Sequence, residues 1–174
     1  MATHHVAFEL DMEIHPSFHD VTDRVKEIVL ESGIQNGIVV VFSQHTTCSV
    51  IIQEDSFDET FNGTKFIFQD LLDVLGPLIP PCEKEGQYLH PGPKCVRHSV
   101  DVVGEAPAWT LNTDAHLRSC LLGRSESIPI VSGKLLLGEH GHIYFADLDG
   151  TRPRKRVVHV QVVGDRQGNN EKER

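Results

Sequence analysis

Residues 37–54, GIVVVFSQHTTCSVIIQE, contain two runs rich in β-branched residues, GIVVVF at 37–42 and CSVIIQ at 48–53. Such runs read as buried strands. They are joined through His45, Thr46 and Thr47, with no Gly, Pro, Asn or Asp to make a turn. Thr46, Thr47 and Ser49 place several hydroxyls beside an imidazole, and hydroxyls with backbone amides are ordinary phosphate or carboxylate ligands. The plain alternative is that threonine suits strands anyway.

Upstream, VAFELDMEI at 6–14 alternates apolar and polar residues, as an edge or half-buried strand does. HDVTDRVKEIVLESG at 19–33 then changes period. Val21, Val25, Ile28 and Val29 fall on one helical face, Asp20 or Thr22 can cap it, and Gly33 stands just past its end. Downstream, Phe68, Leu71, Leu72 and Leu75 predict a second helix within about 56–75, stopping at Gly76-Pro77. From about 76 to 111 the pattern dissolves, and six of the nine prolines lie there. A segment of that length is a lid, a binding loop or a floppy insertion. NTDAHLRSCLLG at 112–123 reads as a short helix, IPIVSGKLLLG, HIYFADL and KRVVHVQVVG as the last strands, and 165–174 as a polar tail. Blocks of strands and helices without strict alternation favour an α+β class with a largely antiparallel sheet system.

At 174 residues and 39% hydrophobic content, the chain suits one domain. No apolar run approaches the roughly 20 residues that span a bilayer, and the start lacks the features of a signal peptide. The expected address is cytoplasmic. Cys48, Cys82, Cys95 and Cys120 are unevenly spaced without a Cys-x-x-Cys pair and read as reduced thiols. A formal net charge of −9 opposes wrapping on nucleic acid, leaving room only for a local basic pocket.

Eleven histidines carry most of the candidate chemistry. A neutral imidazole suits a divalent metal or proton transfer near neutral pH. His45, His90, His98, His116, His140 and His142 adjoin turns, a helix start or the long segment, whereas His4, His5, His15 and His19 read as surface residues and His159 as one face of a strand. The chain has no His-Glu-x-x-His, Gly-x-Ser-x-Gly, Walker loop or dinucleotide fingerprint, so spacing alone leaves a site and scattered structural histidines evenly matched.

QHTTCSVIIQE at 44–54 resembles the Gln-His-Thr-Ser/Thr-x-Ser-x-x-x-Asn-Glu signature of the YjbQ-like family, described as secondary thiamine-phosphate synthases. DAHLRSCLLGRSESIPIVSGKLLLG at 114–138, IYFADLDGTRPRKRVVHVQVVG at 143–164 and Tyr88-x-His90 resemble further parts of its pattern. The resemblance implies a single domain over 1–174, built round a seven-stranded β-sandwich with flanking helices and assembling as a homotrimer. It implies a cleft near the subunit interface with His45, His90 and His116 as a histidine cluster able to hold a divalent metal, zinc first. His45, Glu54 and His116 become the catalytic set, and Thr46, Thr47, Ser49, Gly123 and Ser125 the ligand contacts.

Gln53 replaces the family's Asn, and GEHGHIY stands where its Trp-Gln is usual, which puts one polar contact in doubt. The segment from 91 is longer than usual, so His98 competes with His90 for the third place. Two functions follow. One is a transferase joining hydroxymethylpyrimidine diphosphate to thiazole phosphate, as a main or a side activity. The other is a protein that binds a metal or a small phosphorylated metabolite, of unknown reaction. If one straight strand carried both His45 and Glu54 they would stand at its opposite ends, so either the Thr46-Thr47 segment bends sharply or Glu54 meets His45 from a neighbouring subunit, and the second is preferred because it makes assembly necessary for activity.

Overall fold

A computed structural model of the chain describes residues 1–166. Eight strands form two sheets, and every strand pair among the described residues is antiparallel. The larger sheet has the order β1 (Ala2–Met12), β8 (Arg154–Arg166), β3 (Ile34–Ser43), β5 (Ser125–Val131), β6 (Lys134–Leu135). The smaller is β2 (Ser17–Asp20), β7 (Gly141–Asp147), β4 (Cys48–Glu54). The architecture is thus a five-stranded sheet and a three-stranded sheet, where seven strands were expected.

Alternation decides which residues fill the space between the sheets. Val158, Val160 and Val162 of β8, Val39 and Val41 of β3, and Ile128 and Ile130 of β5 meet Cys48, Val50, Ile143 and Phe145 of the smaller sheet in one buried cluster. Each such aliphatic side chain contributes about 1.5–3 kcal/mol on burial. Helix α1 (Thr22–Ser32) adds Val25, Ile28 and Val29 to this cluster, as its spacing predicts. The Asp20 carboxylate accepts from Thr22 N–H at 2.9 Å, and Gly33 closes the helix at φ 68°. On the other face of the smaller sheet, Phe68 of α2 (Phe66–Leu78) stacks on Phe18, and Ala115 of α4 (Thr113–Leu122) packs on Ala146 and Leu148.

Four boundaries differ from the expected ones. Helix α2 starts at Phe66 and runs past Gly76-Pro77 to Leu78, with Ile79 N–H still donating to Leu75 at 2.8 Å. IPIVSGKLLLG is a hairpin, β5 and β6, turned at Ser132-Gly133 with both φ positive, as a two-residue hairpin of this hand requires. The 76–111 segment is partly structured: it carries α3 (Pro93–Arg97), a π-helical turn at His98–Val103 and a 3₁₀ turn at Pro107–Thr110. The predicted tail begins inside β8, because Asp165 and Arg166 still pair with β3; residues 167–174 lie outside the described residues.

Candidate functional site

The His45-Thr46-Thr47 join is a turn after all, closed by Cys48 N–H donating to the His45 carbonyl at 3.2 Å. It carries the chain from β3 in one sheet to β4 in the other. The β3–β8 ladder stops at the Ser43–Val158 pair, and the next free amide of β8, Val157 N–H, donates to His45 Nε2 at 3.0 Å. The imidazole thus takes a place in the ladder that backbone has vacated. An acceptor Nε2 makes His45 neutral with its proton on Nδ1. Burial, and then the nearby Arg156 guanidinium, lower its pKa and hold that state.

Thr47 is buried, and its Oγ1 accepts from Arg156 Nη2 at 2.8 Å. The same guanidinium makes a two-pronged contact with Asp147, Nε to Oδ2 at 2.8 Å and Nη2 to Oδ1 at 3.0 Å. Cys48 Sγ donates to that carboxylate at 3.6 Å, and burial first, then Asp147, push the thiol up to about 12. A buried ion pair therefore ties β8 of one sheet to β7 of the other, with the turn folded onto it. Ser49 is fully buried on the face of β4 that carries α4, out of reach of a surface ligand in this arrangement. Gly123 ends α4 and its carbonyl accepts from Val50 N–H at 3.3 Å, while Ser125 is exposed opposite Phe42 on β5. Glu54 is exposed at the far end of β4, roughly 20 Å of strand from the turn at about 3.3 Å per residue.

A second group gathers at the start of α4. Asp149, buried after β7, accepts from Asn112 Nδ2 at 2.7 Å, from Thr151 N–H at 3.1 Å and Oγ1 at 2.7 Å, and pairs with Arg154 at 3.0 Å. Burial alone would raise its pKa; the hydrogen bonds from Asn112 and Thr151 and the Arg154 charge outweigh it and lower it. This knot fixes Asn112, hence the first turn of α4, against the β7–β8 connection. Thr113 of that turn donates to the His90 carbonyl at 2.5 Å, and its oxygen lies 3.1 Å from His90 Nδ1. Since the single hydroxyl proton goes to the carbonyl, the ring must donate from Nδ1, which leaves the Nε2 lone pair of His90 uncommitted. His116, one turn along α4, meets His90 edge-on at 5.4 Å between centroids. Its pKa is lowered by burial and then by His90, against the nearby Asp149 carboxylate and the Thr46 backbone.

His90 and His116 line a cavity of about 440 Å³ together with His98, Lys94, Arg152 and Trp109. Both alternatives for the third histidine, His90 and His98, are therefore brought to one place with His116, while His45 is not in the cavity wall but turned onto β8. Lys94 and Trp109 carry no signal in the sequence that marks them as site residues, whereas Arg152 belongs to a run of cations, TRPRKR at 151–156, in an acidic chain. Among the described residues no three His, Cys, Asp or Glu side chains stand close enough to share a metal ion. A neighbouring cavity of about 560 Å³ in the same segment, lined by Leu89, Val96 and Val100 among others, has no histidine and offers less chemistry.

The family model described as "UPF0047 protein YjbQ-like" matches residues 7–165. A UPF0047 protein of Methanothermobacter thermautotrophicus is 32% identical over 145 residues, covering 83% of this chain and 81% of its own. The crystal structure of an uncharacterized conserved protein of the YjbQ/UPF0047 family from Clostridium acetobutylicum is similar at a TM-score of 0.67 and 29% identity, over 91% of this chain and 99% of that one. A hypothetical protein of Aeropyrum pernix K1 is similar at 0.69 and 27% identity, over 95% and 100%.

Proposed function

The chain belongs to the YjbQ-like UPF0047 family, and on that premise we propose that the cleft at the start of α4 binds a small phosphorylated metabolite and supports a thiamine-phosphate-synthase-type transfer. The observation that carries the binding half is the wall itself. Lys94, Arg152 and three imidazoles share one cavity in a chain of net charge −9. A surface that is acidic overall but basic at one concavity draws anions to that concavity.

The transfer half rests on the resemblance and on what the reaction needs. The bond from the pyrimidine methylene carbon to the diphosphate breaks, the thiazole nitrogen bonds to that carbon, and pyrophosphate leaves with the electron pair. Fixed cations and N–H donors beside the departing oxygens lower that barrier without donating a full proton. Lys94 and Arg152 fill that role, and the uncommitted His90 Nε2 accepts a proton where one must move. His45 acts by shaping the turn whose Thr46 backbone meets His116, with Nδ1–H as its remaining donor. Glu54 takes part only across a subunit boundary.

A divalent cation, zinc first, is the alternative occupant. Three neutral imidazoles suit zinc at about 2.0–2.1 Å, and His90, His98 and His116 would have to draw together to hold it. A homotrimer follows from the resemblance and is supported by the outer face of the five-stranded sheet, where Ile38 and Phe42 are exposed beside the stacked His5–His159 pair. Size-exclusion with mass detection tests it: a lone 19.4 kDa species ends the trimer.

The test of function is pyrophosphate release by the purified protein from hydroxymethylpyrimidine diphosphate and thiazole phosphate, beside calorimetric titration with pyrophosphate. Turnover lost in Arg152→Gln supports the reading. Pyrophosphate binding without turnover keeps the phosphometabolite site and removes the transferase; no binding at millimolar pyrophosphate removes both.

A further inference from the structure

Arg152 lies with its guanidinium carbon 4.5 Å from the centroid of the Trp109 ring, and Nη2 donates to Glu105 Oε1. That is its sole side-chain hydrogen bond to protein among the described residues, so one of five N–H donors is spent. A guanidinium held over an aromatic ring with most of its donors free is suited to gripping a planar or tetrahedral anion by two bonds. Arg152, Glu105 and Trp109 all line the histidine cavity, and Glu105 is the one acidic residue in its wall. Glu105 also closes the 91–105 segment. Gly104 before it is left-handed at φ 80°, and Glu105 N–H donates to the Ser99 carbonyl at 2.9 Å, which ends the π turn that carries His98.

Resting on the reading of the cleft as a phosphometabolite site, we propose that Glu105 is a built-in competitor for the anion, its carboxylate occupying Arg152 until a ligand phosphate displaces it. The pair is partly buried, so salt screens it less than a surface pair. A tethered carboxylate competes at the high effective concentration that a short linkage gives. It therefore lowers the affinity of every anion that needs Arg152 by one common factor. A monocarboxylate, with no more charge than Glu105 itself, cannot recover that loss. A diphosphate recovers it through further contacts with Lys94 and the imidazoles. Displacement also unties the 91–105 segment from the β7–β8 connection, so occupancy of the cleft is coupled to the position of His98.

Trp109 is the single tryptophan of the chain and touches Arg152, so its emission reports the exchange directly. Fluorescence titration with pyrophosphate and with inorganic phosphate, on the full chain, tests the proposal. Glu105→Gln is expected to tighten both at least fivefold by the same factor, Glu105→Ala to act in the same direction, and the gain to vanish when Arg152→Gln is added. Melting temperatures of the variants confirm that all are folded. Unchanged or weaker binding in Glu105→Gln overturns the proposal alone, as does a gain that survives without Arg152, which would be a general charge effect. No pyrophosphate binding to either the natural chain or Glu105→Gln overturns it together with the phosphometabolite reading.

Discussion

The turn at His45–Cys48 and the cleft at the start of α4 hold the same kinds of residue and differ in what those residues have left to give. At the turn, His45 Nε2 is taken by Val157 N–H, Thr47 by Arg156, and Arg156 by Asp147. In the cleft, His90 keeps a lone pair, Arg152 keeps most of its donors, and the side chains of Lys94 and His98 are exposed with no hydrogen-bonded partner among the described residues. A polar group whose bonding capacity is spent on the fold stabilises it; one with capacity to spare can be lent to a ligand. The difference sorts the candidate residues more sharply than residue type does.

The largest effect that can break this contrast lies at the buried pair. Arg156→Ala leaves Asp147 as an unpaired buried carboxylate and strips Thr47 of its donor. Removing one partner of a buried ion pair typically costs about 3–5 kcal/mol. The urea midpoint should fall accordingly with little change in slope. A loss under about 1 kcal/mol would mean that the turn is not wired into the core as described.

A smaller loss is expected at His45. His45→Ala frees Val157 N–H at the end of the β3–β8 ladder, and an unpaired backbone donor costs about 1–3 kcal/mol when buried. The imidazole is only half-buried, so water reaches the site and the loss should sit near the low end, about 1 kcal/mol. His45→Gln, whose amide oxygen can accept the same N–H, should recover part of it. Equal stability of all three proteins in denaturant titrations would remove the ladder role.

How much of this was legible follows from range. The strands GIVVVF and CSVIIQ and helix α1 were readable because β-branched runs and a 3.6-residue stripe are local signals. Strand β2 was not, since SFHD is four residues long with no alternation to show. Gly76-Pro77 reads as a stop, yet the helix passes Pro77 by one residue. In the site, His90 and His116 came from resemblance to a family pattern, and the same pattern pointed to His45 without showing that its Nε2 serves β8. Arg152, Lys94 and Trp109 were not legible as one group for a different reason. They are 15 to 58 residues apart in the chain and meet only because the 91–110 segment folds back over α4.

The smallest stability effect is the most discriminating one, because it must be paired with a functional loss. His98 is exposed on a π-helical turn, a conformation often found at functional sites, and no described residue bonds to its ring. Surface substitutions away from caps, cores and ion pairs usually stay within about 0.5 kcal/mol. His98→Gln should therefore leave the denaturant midpoint where it was while weakening pyrophosphate binding several-fold, since one imidazole facing the anion is gone from the cavity. Turn and cleft would then show opposite signatures, stability lost in one and affinity in the other. If His98→Gln lowers stability by more than about 1 kcal/mol and leaves affinity alone, the 91–105 segment is a structural cover, and the anion contacts reduce to Lys94, His90, His116 and Arg152.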